Sequence, residues 1–370
     1  MGSPLLCGIR CARLEMGSLP ITRRGSDMKV TRVGLDIAKE VFEVHGVNEH
    51  GKAELRRQLR RARVLEFFAN LEPCLIGMET GSGAHYWARE LQKLGHTVRL
   101  MAPRFVKPYR KNDKSDRNDA EAICEAVGRS NMRFVAVKSE EQQVVLSLHR
   151  LHAGLKSERD AMANRLRGLL AEFGIVLPKG AARLRGGLPA VISQRRLPVL
   201  MNQVLADGLK RLRELDDQVN QQERQIRALA LQSESARRLM EARGIGPMTA
   251  TAAVATIGDA KLFKNGRAVT AWLGMVPRHS GTGGKIWMGP ITGRGDTYLR
   301  TLFVQGARSV MNTTRGKKDP LSLWVERLRA RRGDNIAAVA LAAKNVRMVW
   351  AMLARGEAYR PPQAAHGAAA

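Results

Sequence analysis

Acidic side chains, aromatic side chains and cysteine are all scarce in this chain. Its 370 residues carry 34 Asp and Glu against 62 Lys and Arg, a formal charge of +28. So lopsided a balance strains a compact fold by self-repulsion unless a polyanion screens it, which points to nucleic acid bound in a salt-dependent way. Aromatics make up 5% of the residues, so the cores must rest on Leu, Val, Ile, Ala and Met. Four cysteines, Cys7, Cys11, Cys74 and Cys124, are too few for a disulfide framework at this length. Cys7 and Cys11 have C-x3-C spacing but no second pair, which argues against a zinc site. Cys74 and Cys124 sit in apolar stretches and read as core thiols, as in a reducing cytoplasm. No run of 18 apolar residues and no clear signal peptide is present, so no membrane partner is expected.

What is present divides the chain. Residues 1–28 form a basic extension without periodicity, expected to be disordered; Met28 stands just before the first strand, so residues 1–27 read as lying upstream of the true start. Residues 29–135 alternate strand and helix patterns. Strands are expected at 29–36 and 41–47, then a third running into a basic helix over 58–70. A short apolar strand at 74–79 ends on a carboxylate, an amphipathic helix runs from Gly81–Gly83 to Leu94, a strand covers 97–101, and a helix spans about 116–127. Three strands followed by alternating helices and strands is the order of an α/β ribonuclease-H-like fold.

Residues 136–238 carry a different pattern. Val144, Leu148, Leu151, Leu155, Met162, Leu166, Leu169 and Phe173 form a heptad stripe, and Leu205, Leu212, Val219 and Ile226 fall seven apart. With Gly180–Pro189 between them as a break, these predict a long helical coiled-coil arm, serving as a spacer or as a dimerisation arm that touches nucleic acid. Residues 239–356 predict a mainly α domain, with a loop of Gly, Ser, Thr and Lys over 279–295 and an Ala-rich helix from about Asn335 to Leu353. Residues 357–370 read as a flexible tail.

Asp36 ends the first strand and Glu79 ends a later one, where carboxylates of an open sheet can converge. Asp116 and Asp119, three apart, share one helix face. Asp113 has the same spacing to Asp116, but the helical run continues directly from Asp119, which favours the later pair. Four carboxylates together repel unless a cation holds them, and hard oxygen donors suit Mg2+ or Mn2+. Two such ions ~3.5–4 Å apart promote phosphodiester cleavage.

Two later motifs add to this. GIGPMTA (244–250) fits a helix-hairpin-helix turn, in which Gly244 and Gly246 let backbone N–H groups approach a phosphate; a plain tight turn reads the same way. In AWLGMVPRHSGTGGK (271–285), Ser280 lies in a glycine-rich loop flanked by Arg278, His279 and Lys285, with Arg294 further on. These cations can meet phosphates. A serine hydroxyl there could attack phosphorus if a base or metal activates it, although an isolated loop serine is ordinarily just that, and His279 reads as structural or as a phosphate contact.

Together these runs resemble the DEDD transposases of bacterial insertion sequences, described as bridge-RNA-guided recombinases. The resemblance rests on VGLDIAKEVFEVHG, METGSGAHYWARELQKLGHTVRLMAP, VKPYRKNDKSDRNDAEAICEAV, GIGPMTATAAVATIGDAKLFKNGRAVTAWLGMVPRHSGTGGK and ITGRGDTYLRTLFVQGAR, in the family's order. It implies a RuvC-like N-terminal domain with an acidic tetrad at Asp36, Glu79, Asp116 and Asp119, and a C-terminal transposase domain with Ser280 as nucleophile. It also implies a composite active site in a dimer or tetramer, double-stranded DNA of element ends and target as substrate, a non-coding guide RNA, and residence in the bacterial cytoplasm at the nucleoid. The sequence departs from the family's paired serine: HSGTGGK holds one serine, with Thr282 two places on as the other candidate hydroxyl. Two further readings compete. A metal-dependent Holliday-junction-type nuclease would use the same carboxylates with water but would not need the Ser280 domain. A non-catalytic nucleic-acid-binding scaffold would tolerate their loss.

Overall fold

The computed structural model of the chain describes residues 29–111, 115–194 and 196–360. The basic extension, Asp113 and tail residues 361–370 lie outside the described residues. The described residues form two compact units that divide between Val135 and Ala136.

In the first unit, β1 (Arg32–Ile37), β2 (Val41–Val47) and β3 (Ala53–Arg60) precede α1 (Val64–Ala69), β4 (Leu75–Glu79), α2 (Ala84–Lys93), β5 (Thr97–Met101), α3 (Pro103–Val106), α4 (Asp116–Val127) and β6 (Phe134–Val135). The sheet order is β3-β2-β1-β4-β5-β6. Strands β1, β2 and β3 pair antiparallel, β1, β4 and β5 pair parallel, and β6 runs antiparallel to β5. This mixed sheet is compatible with the ribonuclease-H-like expectation. Central β1 and β4 bury Val33, Leu35, Ile76 and Met78 on one face and Gly34 and Gly77 on the other, as strands covered on both faces do. Edge strand β3 exposes Arg56, Arg57, Gln58 and Arg60, charges that discourage further strand pairing.

The expected helix over 58–70 starts later. Leu59 pairs with Phe42 and is buried, and Gln58 Nε2 donates to Glu43 Oε1 at 2.7 Å, so pairing with β2 holds residues 58–60 in the strand. A 3-10 turn at Arg61–Arg63 then leads into α1.

The second unit begins with α5 (Glu140–Ala171), capped by the reciprocal bonds of Ser139 and Gln142. It continues through α6 (Ala181–Ser193) and α7 (Val199–Gln232). Contacts between His152 and Glu223, Arg159 and Asp216, and Gly208 and Leu166 place α5 and α7 antiparallel. Leu205, Leu212, Val219 and Ile226 are buried, so the second predicted stripe faces inward. The first is rotated in part: Val144, Leu151 and Phe173 are exposed, Leu166 is buried as the stripe requires, and α5 also buries His149, His152, Ala163 and Leu170. The inward face of its first half is chosen by polar partners. His149 bonds Tyr298 Oη at 2.8 Å and Thr251 Oγ1 at 2.9 Å. Because the Thr251 hydroxyl donates to the Pro247 carbonyl, it accepts from His149 Nε2, which leaves Nδ1 to accept from Tyr298. Nor is Gly180–Pro189 a break. Most of it is α6, with Pro189 inside the helix, because Leu184 and Leu188 pack into the core of α5 and α7. That burial outweighs the roughly 3 kcal/mol an interior proline costs.

The remaining elements are α8 (Glu234–Met240), α9 (Pro247–Ile257), α10 (Gly266–Trp272), β7 (Pro277–Thr282), β8 (Lys285–Ile291), α11 (Thr297–Met311), α12 (Pro320–Arg332) and α13 (Asp334–Arg355). Their core gathers Phe303, Val325, Leu341, Val346 and Trp350. By length and composition α13 could cross a membrane, with mean hydropathy 1.5, but 56% of that window is buried and it serves as a core helix of this unit.

Candidate active site

Leu35 of β1 pairs with Met78 of β4, so Asp36 and Glu79, each one residue further on, end adjacent parallel strands on the same side of the sheet. The first turn of α4 carries Asp116 and Asp119. Ser115 starts that helix, its Oγ accepting from the Asn118 amide at 3.3 Å, and acidic residues there suit the positive end of the helix dipole. Two glycines let α4 approach. Gly34 of β1 is paired with Gly77 of β4. A Cβ on Gly34 would lie 2.1 Å from the Ala120 carbonyl oxygen, and one on Gly77 2.6 Å from Val127 Cβ. The helix therefore rests on a bare strip of sheet, two residues before each carboxylate.

The result is convergence of three predicted residues: Asp36, Asp116 and Asp119 each offer a carboxylate oxygen, all within 4.8 Å of one another. Glu79 stands outside this group, at the neighbouring strand end. Burial pushes the Asp36 carboxyl up to about 6, with the negative charges of Asp116 and Asp119 adding to the effect. A carboxylate so opposed is stabilised by a cation, and three hard oxygen donors fit a divalent one. Arg110 Nη1 lies 3.0 Å from Asp119 Oδ1 and partly offsets the charge. Nothing in the spacing of the sequence pointed to Arg110. Gly34 and Gly77 did leave a signal, since glycine inside a strand marks close approach by another backbone.

In the second unit, Gly244 and Gly246 lie in the turn between α8 and α9. Gly244 has φ +87, and its carbonyl oxygen would be 2.0 Å from a Cβ on Gly306 of α11, so this glycine pair serves helix packing. Gly246 begins α9 with open space around it, leaving that amide end accessible. Ser280 is not in a loop. The run expected to be irregular is a two-stranded ribbon, β7 against β8, turned by Gly283 and Gly284 at φ +57 and +81, the left-handed pair that tight hairpins require. Alternating strand geometry puts Ser280 and Thr282 on one face and His279 on the other, while the register shifts at Arg278. Arg278 donates to the Thr292 carbonyl at 3.2 Å, and Ser280, Lys285 and Arg294 are exposed.

A basic chain with carboxylates gathered at the strand ends of such a sheet fits the class of metal-dependent proteins that process nucleic acids. Comparison with known proteins narrows the class. Residues 33–175 match a family model described as a transposase, of the DEDD type of IS110, and residues 236–320 match the model described as "Transposase IS116/IS110/IS902 family". The chain is 49% identical over 337 residues to a Pseudomonas aeruginosa protein named "Probable family 20 transposase", covering 90% of this chain and 100% of that one. It is 38% identical to the transposase for insertion sequence element IS1111A of Coxiella burnetii, covering 97% and 99%. To the transposase for insertion sequence element IS1328 of Yersinia enterocolitica it is 37% identical, covering 89% and 98%. The chain belongs to the IS110/IS116 family of DEDD transposases, enzymes that act on DNA.

Proposed function

We propose that this transposase cuts and rejoins DNA at the ends of its insertion sequence through the acidic cluster and a serine nucleophile. The observation that supports the reading is the convergence of Asp36, Asp116 and Asp119 at the end of the sheet. Glu79 completes the ligand set from the adjacent strand, and its donors are those of Mg2+ or Mn2+, as two ions. When bound, such ions polarise the scissile phosphate and stabilise charge on the attacking and leaving oxygens. The Ser280 hydroxyl attacks phosphorus. An Oγ–P bond forms, the P–O bond to the adjoining deoxyribose breaks, the serine gives up its proton and the released sugar oxygen takes one. His279, on the opposite face of the ribbon, serves as a structural residue or a phosphate contact. The exposed amide end at Gly246, with Arg278, Lys285 and Arg294, contacts phosphates. A structured RNA of the element guides the choice of DNA, the helical arm joins copies into a dimer or tetramer, and the enzyme works in the cytoplasm on the chromosome.

Covalent trapping tests this reading. Protein, element RNA, Mg2+ and labelled element-end DNA are resolved on a denaturing gel. A protein–DNA adduct that disappears in Ser280→Ala supports it. Cleavage without an adduct replaces it with a hydrolytic nuclease, and an adduct surviving in Ser280→Ala moves the nucleophile to Thr282 or another hydroxyl.

A further inference from the structure

Trp287 lies directly across the ribbon from Ser280. Alternation along the paired strands places Ser280, Thr282, Lys285 and Trp287 on one face, with Ile286 and Met288 on the other; Arg278, at a register shift, has its Cβ 3.7 Å from where a Cβ on Gly289 would stand. Trp287 is 58% exposed, Ile286 70% and Met288 68%. A two-stranded ribbon without a third strand is marginal in water, and an uncovered indole forgoes one of the largest apolar burials a side chain offers. The next residue of β8 on the same face is Gly289, which adds no side chain of its own beside the indole. The surroundings indicate the partner's charge. No acidic residue occurs between Asp259 and Asp296, whereas Lys261, Lys264, Arg267, Arg278, Lys285 and Arg294 do. An exposed aromatic flanked only by cations suits a polyanion with flat apolar faces, which is a nucleic-acid strand whose bases are unstacked.

We propose that Trp287 is a base-stacking platform of the β7–β8 ribbon. Its indole packs on an unpaired base of the DNA strand while Lys285 and Arg278 meet the flanking phosphates, which holds the adjoining phosphodiester beside the Ser280 hydroxyl. The inference rests on Ser280 as the reacting group, and it assigns the opposite strand of the ribbon the task of positioning. Every base has a π-face, so stacking is sequence-tolerant and leaves the choice of target to other parts of the assembly.

The test uses the full-length protein and an oligonucleotide carrying 2-aminopurine, as a single strand and as a perfect duplex. Wild type is expected to quench the probe in the single strand. Trp287→Ala is expected to lose the quench and bind the single strand about tenfold more weakly, with duplex affinity changed little. Trp287→Phe should restore most of both effects, and Ser280→Ala should quench as wild type does. Unchanged quench and affinity in Trp287→Ala overturn the proposal. So does a loss accompanied by a change in sedimentation state, which would make the apolar patch a contact between copies. If Ser280→Ala keeps the covalent adduct while Trp287→Ala loses the quench, the serine reading fails and the stacking platform stands. If Ser280→Ala loses the adduct while Trp287→Ala quenches normally, the reverse holds.

Discussion

Replacing Gly34 with alanine should dismantle the acidic cluster without touching a carboxylate. The added Cβ would lie 2.1 Å from the Ala120 carbonyl oxygen, 2.4 Å from the Cys124 amide nitrogen and 2.8 Å from Cys124 Cβ. The first two are backbone atoms of α4 and cannot rotate away. Restoring ordinary separation requires α4 to retreat by about 1 Å, because close-packed interiors hold no spare room. Asp116 and Asp119 move with the helix, whereas Asp36 stays on β1. Octahedral Mg2+ takes oxygens at about 2.0–2.1 Å and tolerates little distortion. A misplacement of ~1 Å costs on the order of 100-fold in rate. Overpacking costs roughly 1–3 kcal/mol, against which the stiffer unfolded chain returns less than about 1 kcal/mol. The net expectation is a Tm lower by roughly 5 °C, with Mg2+ raising it less than in wild type. Calorimetry with EDTA or Mg2+, beside element-end cleavage, measures both. Gly77→Ala should act in the same direction but more mildly, since its closest approach would be 2.6 Å rather than 2.1 Å, to a Val127 Cβ that is likewise fixed to the α4 backbone. A Gly34→Ala enzyme with wild-type Tm and wild-type cleavage would refute the packing of α4 on this strip.

Two further outcomes follow from the buried titratable groups. Asp36 holds its proton up to about 6 in the fold and to 3.8 in the unfolded chain, so its charge destabilises the fold fully above pH 6 and not below about pH 4. Without metal, Asp36→Asn should therefore raise Tm at pH 7–8, show no gain near pH 4, and abolish cleavage and stabilisation by Mg2+; an unchanged metal-free Tm at pH 8 would count against the clustered carboxylates. Burial lowers the His149 imidazole from 6.5 to about 4, so its contribution is intact above pH 6.5 and lost as pH falls through about 4, on the order of 3 kcal/mol. His149→Asn should be less stable than wild type at pH 8 but lose less on acidification, and parallel pH–stability curves for the two proteins would contradict this.

Much of the first unit was legible because its signals are local. Short apolar runs ending on Asp36 and Glu79 marked the central strands, and the helical run continuing from Asp119 marked α4. What the sequence did not show depends on partners distant along the chain. Pairing of Leu59 with Phe42 overrode a helical pattern, and burial of Leu184 and Leu188 overrode the glycines and Pro189 of α6. The first heptad stripe misled because His149 and His152, polar by composition, form the inward face once Thr251, Tyr298 and Glu223 are supplied from other helices. In the site itself, three of the four carboxylates converge as their spacing and strand positions suggested. The ribbon around Ser280 was read as a loop because its glycines, which make the tight turn, are also common in irregular segments.

The antiparallel packing of α5 and α7 has a consequence for how their length can change. Each link between α5 and α7, from His152 with Glu223 to Arg159 with Asp216 and Gly208 against Leu166, sits at matching distances from the two roots, and the tip carries its own small core with α6. Seven residues removed from α5 alone would slide every rung past its mate. Seven removed from both helices at the same level would shorten the pair by about 10 Å and leave the remaining rungs and the core with α6 intact. Length in these two helices is thus a paired variable, adjustable like a ladder shortened on both rails at once.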